Sequence, residues 1–163
     1  MKTLSNLPTL SEQIIAFADL RDFHRKICRS LTQVDLFEFL SRYYSLVESV
    51  IEPTDGRIIK FIGDAVLLIF PASNPGHALD TLRKLKAGTD LFLSQTHAES
   101  RLCIKAHIGT VATGMVGKGE LERFDIFGLA VNEAALLPQG EWVLSDELQK
   151  RAAVQSAQPG RTK

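Results

Sequence analysis

Apolar positions along this chain fall into short runs of two different periods, and their order outlines a fold. Gln13–Leu20 (QIIAFADL) is a compact apolar run that reads as a first strand, with Asp19 at its end. Arg21-Asp22-Phe23-His24 begins a helical region, and Thr32 is placed to cap a longer helix. Val34, Phe37, Leu40, Tyr44, Val47 and Ile51 recur at helical spacing and predict its buried face. Pro53 and Gly56 end that helix. Next come two β-rich runs, Arg57–Ile62 and Ala65–Phe70, divided only by Gly63-Asp64. Glycine accepts the positive φ of a tight two-residue hairpin turn and aspartate tolerates the second position. Both runs are apolar on either face, which predicts a place at the centre of a covered sheet.

Pro71–Gly76 reads as a loop, and a second helix is expected from about His77 to His97 through Leu79, Leu82, Leu85 and Phe92. Gly88 is a weak point inside it. Arg101–Val116 alternates as a strand up to the Gly114-Met115-Val116-Gly117 turn. Glu122–Phe127 predicts a further strand, Ala130–Leu137 a short helix and Trp142–Leu144 a last strand, after which Ser145 caps a final short helix. This order is not a simple strand–helix alternation. It suits an α+β fold of ferredoxin-like, palm-type architecture, with a mostly antiparallel sheet and its helices packed on one face. A single domain over residues 1–151 is expected. The polar stretch 152–163 reads as a frayed tail.

Composition narrows the partners. The 163 residues carry 19 Lys plus Arg against 19 Asp plus Glu, well interspersed, so neither a nucleic-acid surface nor an anionic membrane is an expected partner. No apolar run approaches the ~18 residues of a membrane span. Met1–Leu10 lacks the apolar core of a signal peptide. Cys28 and Cys103 are far apart, without metal-type spacing, and read as free thiols. A soluble, cytoplasmic protein is the expectation.

Three residues carry candidate chemistry. If the first strand lies beside the hairpin, Asp19 and Asp64 converge at one end of the sheet. Two carboxylates on rigid strand ends, with no His or Cys close by in sequence, form a hard-oxygen site suited to Mg²⁺ or Mn²⁺. The backbone amides of Leu20, Arg21, Asp22 and Phe23 then open a helix, where phosphates bind. Lys60 interrupts an otherwise apolar run four positions before Asp64. Taken singly, each has a plainer reading: Asp19 as a helix cap, Asp64 as a turn residue and Lys60 as a lysine snorkelling from the core edge. The four histidines, His24, His77, His97 and His107, show no ligand spacing.

Four segments raise the functional reading above the plain one. Phe17–Phe23 (FADLRDF), Lys60–Val66 (KFIGDAV), His107-Ile108-Gly109 with Gly114–Gly117, and Phe124–Gly128 (FDIFG) with Val131-Asn132 occur in this order. In content and spacing they resemble the catalytic domain of class III nucleotidyl cyclases, over roughly residues 12–147. The resemblance implies a two-fold dimer, of like or unlike cyclase domains, with active sites in the cleft between subunits. It implies that Asp19 and Asp64 of one subunit hold two Mg²⁺ or Mn²⁺ ions. Lys60 and Asp125 of the other would read the base, a lysine donor with an aspartate acceptor resembling the adenine-selecting pair. ATP is therefore the expected substrate and GTP the poorer one. Asn132 matches the residue that orients the ribose. Asp125 could equally be an ordinary strand-end aspartate.

Departures from the pattern are concentrated in the phosphate clamp. Leu136 stands where the family carries its transition-state arginine, four residues after the asparagine, and Pro138 and Gly140 arrive about a turn early. Leu129 replaces an aspartate after Gly128, and Cys103 replaces a basic residue ahead of His-x-Gly. Lys105, on the same strand face as Cys103, either substitutes for that residue or is a solvated strand lysine. Relatives usually continue into a final pair of strands bearing another phosphate-binding lysine, and Arg123 has no spacing that marks it as the replacement. Two functions follow as expectations: a weak or partner-dependent adenylyl cyclase, or an inactive pseudo-cyclase that binds nucleotide or dimerises. A ferredoxin-like RNA-binding module fails on charge balance and on the lack of paired strand aromatics, and a diguanylate-cyclase-like reading fails on the absence of an acidic Gly-Gly hairpin tip.

Overall fold

A computed structural model describes residues 7–96 and 99–157. The elements are β1 (Thr9–Leu20), a π-helical turn (His24–Cys28), α1 (Gln33–Ile51), β2 (Arg57–Ile62), β3 (Ala65–Pro71) and α2 (Pro75–Gln95). They continue with β4 (Leu102–Val116), a 3₁₀ turn (Gly119–Leu121), β5 (Arg123–Phe127), α3 (Leu129–Leu136), β6 (Trp142–Leu144) and α4 (Asp146–Ser156). The sheet runs β2-β3-β1-β4-β5, all antiparallel, and β6 joins β4 in parallel. This is the α+β, mostly antiparallel architecture expected.

Alternation along β1 divides the molecule into two apolar layers. Ile14, Ala16, Ala18 and Leu20 face the main core, with Leu68, Phe70, Ile104 and Ala106 from neighbouring strands. That core is closed by α1 through Phe39, Tyr43, Val47 and Ile51, by α2 through Leu82, Leu85 and Leu93, and by α4 through Leu148. Each such side chain fully buried contributes about 1.5–3 kcal/mol. Ile15, Leu67, Ile69, Val111 and Ile126 form a smaller layer on the opposite face, under Ala130 and Ala134 of α3. Packing on one face therefore describes α1, α2 and α4, while the eight-residue α3 covers the other.

Several boundaries differ from the sequence expectation, each for a physical reason. β1 begins at Thr9, because Thr9–Glu12 pair with Thr110–Thr113 although their side chains are polar or exposed. Thr32 caps α1, accepting from the Asp35 N–H, but the buried stripe is rotated from the one expected: Val34 and Phe37 are 68% and 74% exposed. α1 turns Leu36, Phe39, Tyr43 and Val47 to the core, which leaves Val34 and Phe37 on its outer side. The hairpin is real, with Gly63 at φ 63°, yet only β3 is central. β2 is an edge strand of half-exposed residues with a bulge between Ile58 and Lys60. Ser145 caps α4 through the Leu148 N–H, and this helix continues to Ser156. The frayed tail thus does not begin at Ala152: Gln155 binds the Gly76 N–H at 2.7 Å and Asn74 Oδ1 at 3.0 Å. His97 and residues 158–163 lie outside the described residues.

Candidate active site

The antiparallel register sets Ala18 beside Val66, so the hairpin tip reaches the end of β1. Asp64 Oδ2 accepts the Leu20 N–H at 3.1 Å, which fixes the tip against the residue following Asp19. Both carboxylates are half-buried. Burial, the largest influence, raises the Asp19 carboxyl above its ordinary range, and the nearby Lys105 charge opposes it. Burial likewise raises Asp64; its hydrogen bonds from the Leu20 and Asp64 amides pull it back, and the Asp19 charge pushes it up further. The two acids therefore sense each other across a partly dehydrated gap, a repulsion that a divalent cation relieves. Among the described residues no third Asp, Glu, His or Cys joins them. Two hard carboxylates without nitrogen or sulfur donors fit Mg²⁺ or Mn²⁺ and not a soft metal.

Lys105 sits across from Phe17 on β4, almost fully buried, with Nζ 3.5 Å from the Ala135 carbonyl. It is not the solvated strand lysine that was one of its two readings. Asp19, Cys103, Lys105 and His107 all project to the face that α3 covers.

β2 and β5 occupy opposite ends of the strand order and still touch. Lys60 Nζ donates to Asp125 Oδ2 at 2.6 Å, and the Arg57 guanidinium lies 3.6 Å from the centroid of the Phe124 ring. Asp125 is only 2% exposed; its other oxygen takes the Ile126 N–H at 2.9 Å, and Arg123 Nε stands 3.9 Å away. Burial alone would raise this carboxyl, but the Lys60 and Ile126 hydrogen bonds and the Lys60 and Arg123 charges hold it below the ordinary range. Asp125 is thus not an ordinary strand-end aspartate: it is a buried acceptor with a lysine donor beside it.

The remaining expected positions divide. Asn132 lies exposed on α3. Leu20 and Arg21 do not present free amides, since Leu20 N–H is taken by Asp64 and Arg21 N–H by the Arg101 carbonyl at 2.9 Å. The helix expected to follow them is one π-helical turn of five residues, so the expectation of four free helix-opening amides does not hold for Leu20 and Arg21. Asp22 sits at φ 56°, a conformation aspartate tolerates. A surface groove of about 640 Å³ is lined by Arg21, Lys26, Arg101 and Glu141 but by none of the paired carboxylates. It does not locate the chemistry, because neither Asp19 nor Asp64 borders it.

Two contacts escaped the sequence reading. Tyr44 Oη donates to the Gly63 carbonyl at 2.5 Å and its ring stacks on Phe61 at 3.8 Å, pinning the hairpin tip to α1. The adjacent tyrosines were the available signal, because a phenol on a core face needs a partner. His107, nearly buried, has Nε2 at 3.2 Å from Glu133 of α3 and Nδ1 at 3.9 Å from Glu147 of α4. No local spacing announces that bridge.

Comparison with known proteins agrees with this fold. The adenylate and guanylate cyclase catalytic domain family matches residues 8–140, and the chain belongs to that family. It is 27% identical over 129 residues to an adenylate cyclase of Anabaena cylindrica, covering 74% of this chain and 26% of that protein. It is 32% identical over 124 residues to an adenylate cyclase of Streptomyces griseus, covering 76% and 27%. The chain thus spans about a quarter of the length of these relatives. Its fold matches the crystal structure of the adenylyl cyclase CyaB from P. aeruginosa with a TM-score of 0.81, at 18% identity, over 90% of this chain and 83% of that one.

Proposed function

We infer that the chain is a nucleotidyl cyclase domain that converts ATP to cyclic AMP and pyrophosphate, weakly or only with a suitable partner. The observation that carries this reading is the coupled, partly buried pair Asp19 and Asp64 at the end of β1 and the hairpin tip. The reaction joins the ribose 3′ oxygen to the α-phosphorus and breaks that phosphorus's bond to the bridging oxygen. Pyrophosphate departs, and the 3′-hydroxyl proton passes to solvent. Two Mg²⁺ or Mn²⁺ ions held by Asp19 and Asp64 would activate the hydroxyl and neutralise the leaving group.

In a two-fold dimer, Lys60 and Asp125 of the opposite subunit supply a donor and an acceptor side by side for adenine N1 and its amine. Asn132 orients the ribose from the exposed side of α3. Lys105 takes the place of the basic residue missing at Cys103, and the Asp22 and Phe23 amides meet the phosphates. GTP is the poorer substrate on this reading. The dimer is formed by two copies of this chain or with another cyclase domain.

The second reading, a pseudo-cyclase that binds nucleotide or dimerises, is favoured by one observation. α3 carries no basic residue, and Leu136, at the position of the transition-state arginine, is 82% exposed. Removing such a donor costs about 10²–10³ in rate. The deciding experiment incubates purified protein at high concentration with Mn²⁺ and either ATP or GTP, beside Asp64→Ala. Cyclic AMP from the parent, at least 100-fold less from the variant and less product from GTP, are the expected results. No cyclic nucleotide from the parent hands the assignment to the pseudo-cyclase.

A further inference from the structure

Strict alternation along β2 sets Arg57 and Lys60 on opposite faces, since they stand three residues apart. A bulge overrules it. Arg57 pairs with Ile69, Ile58 with Leu68 and Lys60 with Leu67, so three steps along β2 match two along β3, and Ile59 is the extra residue. Ile69 and Leu67 both belong to the small layer under α3. Paired residues share a face, so the bulge turns Arg57 and Lys60 to one side. There they meet consecutive residues of β5: the Arg57 guanidinium lies 3.6 Å from the centroid of the Phe124 ring, and Lys60 Nζ donates to Asp125 Oδ2 at 2.6 Å.

β2 and β5 end the strand order on opposite sides, and among the described residues no backbone ladder joins them. Side chains hold these two edges together. On the function proposed above, one of the two contacts is contested, because an adenine that accepts from Lys60 and donates to Asp125 competes with their own bond. The Arg57–Phe124 stack lies outside that exchange. Arginine suits the place, since its planar guanidinium stacks on a ring and keeps its charge at any ordinary pH.

We propose that Arg57 is a positioning residue for base selection: seated on Phe124, it holds β5 against β2 and keeps Lys60 and Asp125 at the separation that suits adenine. This rests on the reading of Lys60 and Asp125 as the base-reading pair. In this role Arg57 touches neither base nor phosphate.

The test measures binding of 3′-deoxy-ATP and 3′-deoxy-GTP with Mn²⁺ by calorimetry, since neither analogue has the hydroxyl that cyclises. The parent binds the adenine analogue more tightly. Arg57 is exposed, and Arg57→Met keeps an unbranched side chain while removing the stacking cation. It weakens 3′-deoxy-ATP about threefold or more, the worth of an exposed cation–π contact, and leaves 3′-deoxy-GTP within about twofold. Phe124→Leu gives the same loss of preference, and the double variant loses no more than either alone, because both substitutions remove one contact. A general loosening of the fold weakens both nucleotides alike and does not imitate this pattern. An adenine preference unchanged in Arg57→Met overturns the proposal, as do losses that add in the double variant or fall equally on both nucleotides. The two readings fail separately. A parent preference that Lys60→Met abolishes and Arg57→Met keeps removes only the Arg57 role, whereas a parent without preference removes the base-reading pair and this proposal together.

Discussion

Lys60 and Asp125 show how much one pair of side chains can decide. Asp125 is buried and ionised because Lys60, Arg123 and the Ile126 N–H together outweigh its dehydration. Its pKa is lowered on folding, so its contribution to stability is fully present above the ordinary value of 3.8 and is lost as pH falls through the lower folded value. Acid unfolding should therefore show a component below that value. Lys60→Met strands the carboxylate with Ile126 and a more distant Arg123. A hydrogen bond to a charged group is worth about 1.5–3 kcal/mol. Lys60 is 36% exposed, so water screening brings the expected loss toward about 1–2 kcal/mol. Urea melts at pH 7 and pH 2 check both points: the variant is less stable at pH 7, and the gap to the parent narrows in acid. An equal gap at both pH values would show that the pair contributes packing and not charge. Lys60 was legible in the sequence because it interrupts an apolar run. Asp125 was not legible as its partner, since the two are 65 residues apart and only the resemblance joined them.

At the scale of elements, the hairpin and α3 were read with unequal success. The Gly63-Asp64 turn follows from local backbone preferences, and Gly63 adopts the positive φ expected. That β2 lies at an edge did not follow, because alternation tells which faces are covered and not which strands lie alongside. The stripe on α1 was misphased for a related reason: Val34 and Phe37 are at helical spacing, but the face that packs runs through Leu36, Phe39, Tyr43 and Val47. On α3, Ala130 and Ala134 face inward, while Asn132 and Leu136, four residues apart, remain exposed on one side. This makes Leu136→Arg an informative substitution. Arginine and leucine have similar helix propensity, the site is open, and a cation in the last turn suits the helix dipole. The melting temperature should stay within the scatter expected of a surface change, about 0.5 kcal/mol. Cyclic AMP formation should rise about tenfold or more if the missing charge is what limits the rate. A stable, dimeric variant that binds nucleotide without faster turnover would instead point to the early end of α3 before Pro138.

The whole molecule has a property that none of its elements carries alone: among the described residues no hydrogen bond or ion pair links Asp19 and Asp64 to Lys60 and Asp125, although Lys60 and Asp64 share one hairpin. The curl that brings β2 to β5 gathers Lys60 and Asp125, while the acids collect at the end of β1, and on the function proposed above a nucleotide spanning both bridges two copies turned to face each other. This arrangement predicts complementation. On that reading Asp64→Ala removes a cation ligand and leaves Lys60, Asp125 and Asn132 intact; Asn132→Ala does the reverse. Each variant alone forms dimers in which both clefts are defective. Mixed and allowed to exchange, they form heterodimers with one cleft carrying both lesions and the other carrying neither. With random pairing, half the dimers are mixed and each has one working cleft of two, so activity should recover to about a quarter of the parent. Cyclic AMP formation measured against mixing ratio tests this, with a maximum at equal amounts. If the mixture stays as silent as its components while native mass spectrometry with one variant isotope-labelled shows that it has exchanged, each cleft takes its acids and its asparagine from the same chain. The two-fold cleft would then be the wrong architecture for this domain.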